Sequence, residues 1–205
     1  LAALDRGVIF AVAHVRGGGE MGRAWYEDGK IRNKKNSFSD FVAVGRHLVA
    51  EGYTTPERMV AEGGSAGGLL LGAVANLAPE LFAGILASVP FVDALTSILD
   101  PSLPLTVIEW DEWGDPLHDP EVYAYMKGYA PYENVADLPY PKILAGTSLN
   151  DTRVLYVEPA KWVARLREVT GAGPEVLLRT EMSAGHGGVS GRYAAGRPRA
   201  GELAG

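Results

Sequence analysis

The chain has no cysteine anywhere in its 205 residues. A disulfide framework and a thiolate-held metal site are therefore excluded, and the redox compartment is left open. No uninterrupted apolar stretch reaches the roughly 18 residues that a membrane span needs. Positive charge is also short: 19 Lys and Arg stand against 25 Asp and Glu, a net charge of −6. That balance argues against nucleic acid or an anionic membrane as partner and permits a cationic ligand. An initiator Met is missing, since the chain starts at Leu1, and residues 194–205 show no apolar periodicity. The expectation is a fragment, with residues 1–193 folded as one domain and 194–205 a disordered tail.

What is present is enough apolar material for a core. Hydrophobic residues make up 47% and charged residues 21%, the balance of a globular domain. Residues 7–15 form a near-continuous apolar run, read as a strand buried on both faces of a parallel sheet. In the following Arg16-Gly-Gly-Gly-Glu-Met-Gly22, the residues Gly17, Gly19 and Gly22 match a dinucleotide-binding spacing. That reading needs a helix with an apolar face, and residues 23–36 are polar, so it is rejected. A helix is expected from Ser37, with Asp40 in capping-box position, to a stop at Gly52. Strands at 59–61, 84–91, 142–147 and 175–180 alternate with helices at 66–77 and 158–169. Five strands and about four helices predict a mostly parallel sheet covered on both faces. Residues 92–140 break the rhythm with repeated prolines and aromatics, and only 119–127 reads as helical. A long, acidic, aromatic excursion between sheet elements is more often functional than idle.

Within this alternation, Gly63-x-Ser65-x-Gly67 fits a nucleophile elbow, a tight strand-to-helix turn that lifts the serine hydroxyl above the sheet. An ordinary glycine-rich turn has the same five letters. The glycines would make room for a strained backbone at Ser65, and the N–H of Ala66 would face an oxyanion formed on the attacked carbon. Asp151 and His186 follow later strands, in the order serine, acid, histidine that α/β-hydrolases use. A serine hydroxyl is a weak nucleophile until an imidazole takes its proton, and the imidazole needs an acid to fix its tautomer. Each has a plainer alternative: Asp151 as a turn residue, His186 as a loop histidine. Asp93 is the rival acid, and His14, His47 and His118 are less well placed.

Arg16-Gly-Gly-Gly-Glu20, Gly63-Gly-Ser-Ala-Gly-Gly68 and Gly185-His-Gly-Gly188 together resemble the catalytic domain of the prolyl oligopeptidase family. Trp25-Tyr-Glu-Asp-Gly-Lys30, Val89-Pro-Phe-Val-Asp93, Glu112-Trp-Gly114 and Glu158-Pro-Ala-Lys-Trp162 are similar to its oligopeptidase B branch. The resemblance implies an α/β-hydrolase fold, here partial, with the first strands of the sheet and the last helix missing. It implies a cytosolic serine peptidase that cuts short peptides after Arg or Lys without a cofactor or metal. Ser65 would be the nucleophile, His186 the base, Asp151 its orienting acid and Ala66 an oxyanion donor. Glu109 would hold the substrate's basic side chain, with Asp111 nearby and Phe91 packing on its stem; Arg153 would hold a substrate carbonyl. In proline-cutting relatives an aromatic residue takes the place of Glu109, and the branch usually has Glu where Asp111 stands. The resemblance also implies an N-terminal β-propeller in the same full-length chain and an oxyanion tyrosine upstream of Leu1. Two other outcomes stay open here: an esterase or acyl-peptide hydrolase for uncharged substrates, and an inactive remnant.

Overall fold

A computed structural model of the chain describes residues 4–171 and 173–188. The tail expected at 194–205 lies outside the described residues. Among the described residues, four parallel strands form the sheet in the order β1 (Val60–Gly64), β2 (Gly84–Ser88), β3 (Lys142–Ser148) and β4 (Val176–Glu181). Parallel neighbours need crossovers, and helices supply them. α1 (Arg23–Glu27) and α2 (Lys35–Ala50) precede β1; α3 (Ala66–Leu77) joins β1 to β2, and α7 (Val157–Thr170) joins β3 to β4. Between β2 and β3 run α4 (Ala94–Ile98), α5 (Thr106–Trp113) and α6 (Pro120–Lys127).

The sequence explains which elements are central. Helix α3 is small and apolar nearly all round, and from Leu69 to Ala75 only Leu70 is not fully buried. Such a helix belongs inside a core rather than on its surface. Gly68 and Gly72 let it pack close: a Cβ at 68 would lie 2.5 Å from Pro90 Cα, and one at 72 would lie 2.7 Å from Pro131 Cβ. Helix α7 buries Trp162, Val163 and Leu166, three positions on one helical face, while its other side stays charged. Ile85 and Ile143 fill the sheet between them. Each fully buried Leu or Ile contributes about 1.5–3 kcal/mol over leaving it in water.

Three expectations need correction. Residues 8–15 form no strand, and Val8, Ile9, Phe10 and Val12 are more than half exposed. An apolar run becomes a buried strand only beside a ladder partner, and among the described residues no strand pairs with this one. Ser37 does not cap α2, which starts two residues earlier; its hydroxyl donates to Arg16 O at 2.5 Å. Asp40 likewise turns away from the helix end and takes the Arg16 guanidinium at 2.6 and 2.8 Å, which holds its carboxyl below the usual range. The glycine loop from 16 to 22 is thus tied to α2, and α1 behind it is only five residues long. Finally, the excursion contains two further helices, α4 and α5, so Glu109 stands on a helix rather than in a loop.

These contacts make opposite predictions for neighbouring glycines. Gly68→Ala should cost about 1–3 kcal/mol through overpacking against Pro90. Gly67→Ala faces open space and should be neutral or up to about 1 kcal/mol stabilising. Urea unfolding of the two variants decides it, and equal losses would refute the packing account.

Candidate active site

Ser65 leaves β1 with φ 55° and ψ −119°, a conformation that non-glycine residues rarely adopt. Strain of that kind costs on the order of 1–3 kcal/mol and persists only where surrounding contacts over-determine it. Here Ser65 N–H donates to Ser88 O at 2.9 Å, and its carbonyl accepts from Leu69 N–H and Phe91 N–H, both at 3.1 Å. Gly63 is required by space, since a Cβ there would lie 2.9 Å from Gly67 O and 3.1 Å from Leu71 Cδ1. Gly67 is not required in that sense: its own missing side chain faces nothing within 4 Å. The expected symmetry of the two glycines is therefore corrected to a single tight position. Ala66 opens α3, where a backbone N–H has no intrahelical acceptor. The Ser65 hydroxyl makes no hydrogen bond among the described residues.

The strand ends bring the other two residues to the same edge of the sheet. After β3 the chain turns with Asp151 N–H on Ser148 O at 3.1 Å. Asp151 Oδ1 accepts from Arg153 N–H at 2.9 Å and Val154 N–H at 3.0 Å, while Oδ2 lies 2.7 Å from His186 Nδ1. Oδ1 thus closes the turn, and Oδ2 faces the imidazole. The Asp151 side chain is fully buried and that of His186 is 20% exposed. A buried carboxylate is tolerable only with such partners. The histidine loop is fastened by Leu149 N–H to Glu181 O at 2.8 Å and Asn150 N–H to Ala184 O at 3.3 Å. With Nδ1 donating to the carboxylate, Nε2 carries the lone pair a base needs. The rival Asp93 is engaged elsewhere: it accepts from Thr96 Oγ1 at 2.8 Å and pairs with Lys161.

Beyond the elbow lies an aromatic wall. Phe91, which holds the Ser65 carbonyl, packs on Trp113 with ring centres 5.5 Å apart. Trp113 Nε1 donates to Glu109 Oε2 at 2.8 Å, one helical turn away on α5. The Lys34 ammonium lies 4.6 Å from the centre of the Trp113 ring. Burial lowers its pKa, against the opposing pull of Glu112 and then Glu109. Glu112 accepts the Tyr26 hydroxyl, and Lys30 sits 4.9 Å over the Tyr26 ring. Glu109 and Phe91 are thus brought together through Trp113. Asp111 is exposed and has no bonded partner among the described residues, and Arg153 is exposed with its guanidinium unpaired there. Trp113 and Lys34 were not legible as neighbours of the site. Glu109 and Trp113 are four apart, so recognising α5 would have exposed the first pair; nothing in the sequence marks Lys34.

A second buried carboxylate braces this wall. Glu158, at the start of α7, is 2% exposed; its Oε2 accepts Asp93 N–H at 3.0 Å and its Oε1 accepts the Ser97 hydroxyl at 2.5 Å. It ties α7 to the segment two residues beyond Phe91. Burial pushes its carboxyl up to about 7. Among the described residues no group of His, Asp and Glu is arranged to hold a metal ion, and no helix is long and apolar enough to cross a membrane.

Comparison with known proteins follows the same outline. The family model described as the prolyl oligopeptidase family matches residues 1–202. Protease 2 of Moraxella lacunata is 56% identical over 193 residues, covering 94% of this chain and 28% of its own length. Dipeptidyl aminopeptidase BI of Pseudoxanthomonas mexicana is also 56% identical, over 98% of this chain and 28% of its own. Oligopeptidase B from Leishmania major superposes with a TM-score of 0.94 at 50% identity, over 98% of this chain and 28% of its own. The chain thus spans little more than a quarter of the length of these relatives.

The Glu158 carboxyl carries a pH signature. Its folded value, about 7, lies above the ordinary 4.5. The folded state therefore binds the proton more tightly, and stability present in full below about 4.5 declines as pH rises toward 7. The loss is on the order of 3 kcal/mol. Glu158→Gln can accept the Asp93 N–H at its carbonyl oxygen and donate its amide to the Ser97 hydroxyl, the second bond reversed, and should flatten that decline in a series of melts from pH 4.5 to 8; parallel profiles for the two proteins would rule it out.

Proposed function

The chain belongs to the prolyl oligopeptidase family, and from that premise we propose that it is the catalytic part of a serine oligopeptidase cutting short peptides after Arg or Lys. The observation that carries the reading is the Asp151–His186 contact of 2.7 Å at the sheet edge where Ser65 sits strained on its elbow. Ser65 Oγ attacks the scissile carbonyl while His186 Nε2 takes its proton, and Asp151 holds the imidazole in the receptive tautomer and stabilises its charged form. The Ala66 N–H donates to the oxygen as it gains charge. One such donor is worth on the order of 10²–10³ in turnover. His186 then returns the proton to the leaving amine, and a water, activated by the same imidazole, hydrolyses the Ser65 ester.

Specificity is assigned to Glu109. A carboxylate in a partly dry pocket pairs with a guanidinium at two oxygens, and an uncharged side chain would leave it unpaired. Phe91 and Trp113 cover the aliphatic stem. Arg153, exposed and free of ion pairs among the described residues, suits a substrate carbonyl; Asp111 is assigned a weaker, solvent-screened attraction. The β-propeller implied by the family resemblance is assigned to the part of the natural polypeptide outside this chain, where it would limit substrates by size. Similarity to dipeptidyl aminopeptidase BI supports a second reading, removal of dipeptides from free amino termini. Paired Arg substrates with blocked and free amino ends separate the two.

In the natural polypeptide that carries these residues, a fluorophosphonate should label Ser65, and Ser65→Ala should abolish labelling. Labelling elsewhere, or none, would sink the nucleophile. Glu109→Gln should lower kcat/KM for Arg and Lys substrates about 10²-fold while neutral esters lose only a fewfold; equal losses would refute the pocket.

A further inference from the structure

The reaction described above leaves Lys34 unused, although it stands against the specificity wall. Its ammonium lies 4.6 Å from the centre of Trp113, the ring whose N–H holds Glu109 at 2.8 Å and which packs tilted on Phe91 with ring centres 5.5 Å apart. It comes from the residue just before α2, whereas Glu109 and Trp113 come from α5. The contact is therefore between separate elements rather than neighbours on one helix. Glu112 also faces Lys34, but it already receives the Tyr26 hydroxyl and lies within the field of Lys30. Asp111 is exposed, and no contact ties it to this group. Among the described residues, the cation seated on the Trp113 ring, whose N–H holds Glu109, is Lys34.

Resting on the assignment of Glu109 to the substrate's basic side chain, we propose that Lys34 is a tethered cation of the specificity pocket, a specificity-determining residue whose charge opposes an incoming guanidinium or alkylammonium. Two like charges held near one carboxylate repel, and in a partly dry pocket that repulsion is weakly screened. A guanidinium tolerates the arrangement better than an ammonium does. Its planar fork can take both carboxylate oxygens and it is more weakly hydrated, so it loses less on entering. Lys34 in turn has a flexible four-carbon stem that can swing its charge aside while the methylenes stay on the indole. The outcome is a pocket that is negative but partly self-compensated, so that it admits both basic side chains and favours the guanidinium over the ammonium.

The test is agmatine binding, an alkylguanidinium without a scissile bond, measured calorimetrically on the natural polypeptide carrying these residues. Lys34→Gln should bind agmatine about 5–20-fold more tightly than the wild type, the sign expected when a like charge is removed. Lys34→Arg, which keeps the charge, should stay within about twofold. Unchanged or weaker binding by Lys34→Gln overturns the proposal, because a lysine that merely supports Trp113 would lower affinity when lost. If Lys34→Gln does not fold, Lys34→Met keeps the stem on the ring and is read the same way. Glu109→Gln separates the levels. Should it abolish agmatine binding while Lys34→Gln changes nothing, the pocket stands and the Lys34 inference alone falls. Should Glu109→Gln leave agmatine binding intact, the pocket reading falls and takes this inference with it.

Discussion

The strained backbone of Ser65 is the constraint that the surrounding elements serve. Its conformation is held from the carboxyl end of β2, through the Ser88 carbonyl and the Phe91 N–H. That exit carries a second outlier: Val89 has φ 43°, an unfavourable region for a β-branched residue. Val89 is held by its N–H on Gly146 O at 2.7 Å, which reaches into β3. A chain of backbone bonds therefore runs from β3 through the end of β2 to the serine. Phe91 closes it, holding Ser65 with its N–H and Trp113 with its ring. Elbow and pocket wall cannot move independently.

The two buried carboxylates show how partners decide what a charge does. Asp151 has both oxygens occupied, by two backbone N–H groups and an imidazole, and belongs to a tight turn that its own oxygen closes. Glu158 has one backbone N–H and one hydroxyl, with Asp93 adding like charge, and burial dominates. In the proposed reading, the first arrangement suits a carboxylate that orients a histidine. The second suits a brace, because a protonated carboxyl can hold α7 against the segment after β2 without an uncompensated charge.

Signals confined to a few neighbouring residues were legible in the sequence; those that depend on distant partners were not. Gly63 and Ser65 mark the elbow because a turn this tight excludes a Cβ, and the parallel sheet follows from buried apolar runs separated by helical periods. The order Ser65, Asp151, His186 mattered because each follows its own strand, so topology alone delivers all three to one edge. Residues 8–15 misled, since an apolar run encodes willingness to be buried, not the partner that would bury it. Ser37 and Asp40 had capping spacing, yet Arg16 from a distant loop captured both. Helices α4 and α5 were hidden by prolines and aromatics that suppress any periodic pattern over so few turns.

The same distinction explains the pocket. Glu109 by itself is an acid on a short, half-exposed helix, and an exposed acid discriminates poorly because water screens it. What gives it selectivity in the proposed reading is its setting: an indole N–H fixing one oxygen, Phe91 drying one side, and a lysine from another element opposing any second cation. A carboxylate free to turn toward water could compensate for a poorly fitting side chain. One fixed in this way cannot, so a mismatch appears in full as lost binding. Specificity of this kind resides in the contacts among α5, the end of β2 and the start of α2, which no single stretch of sequence contains.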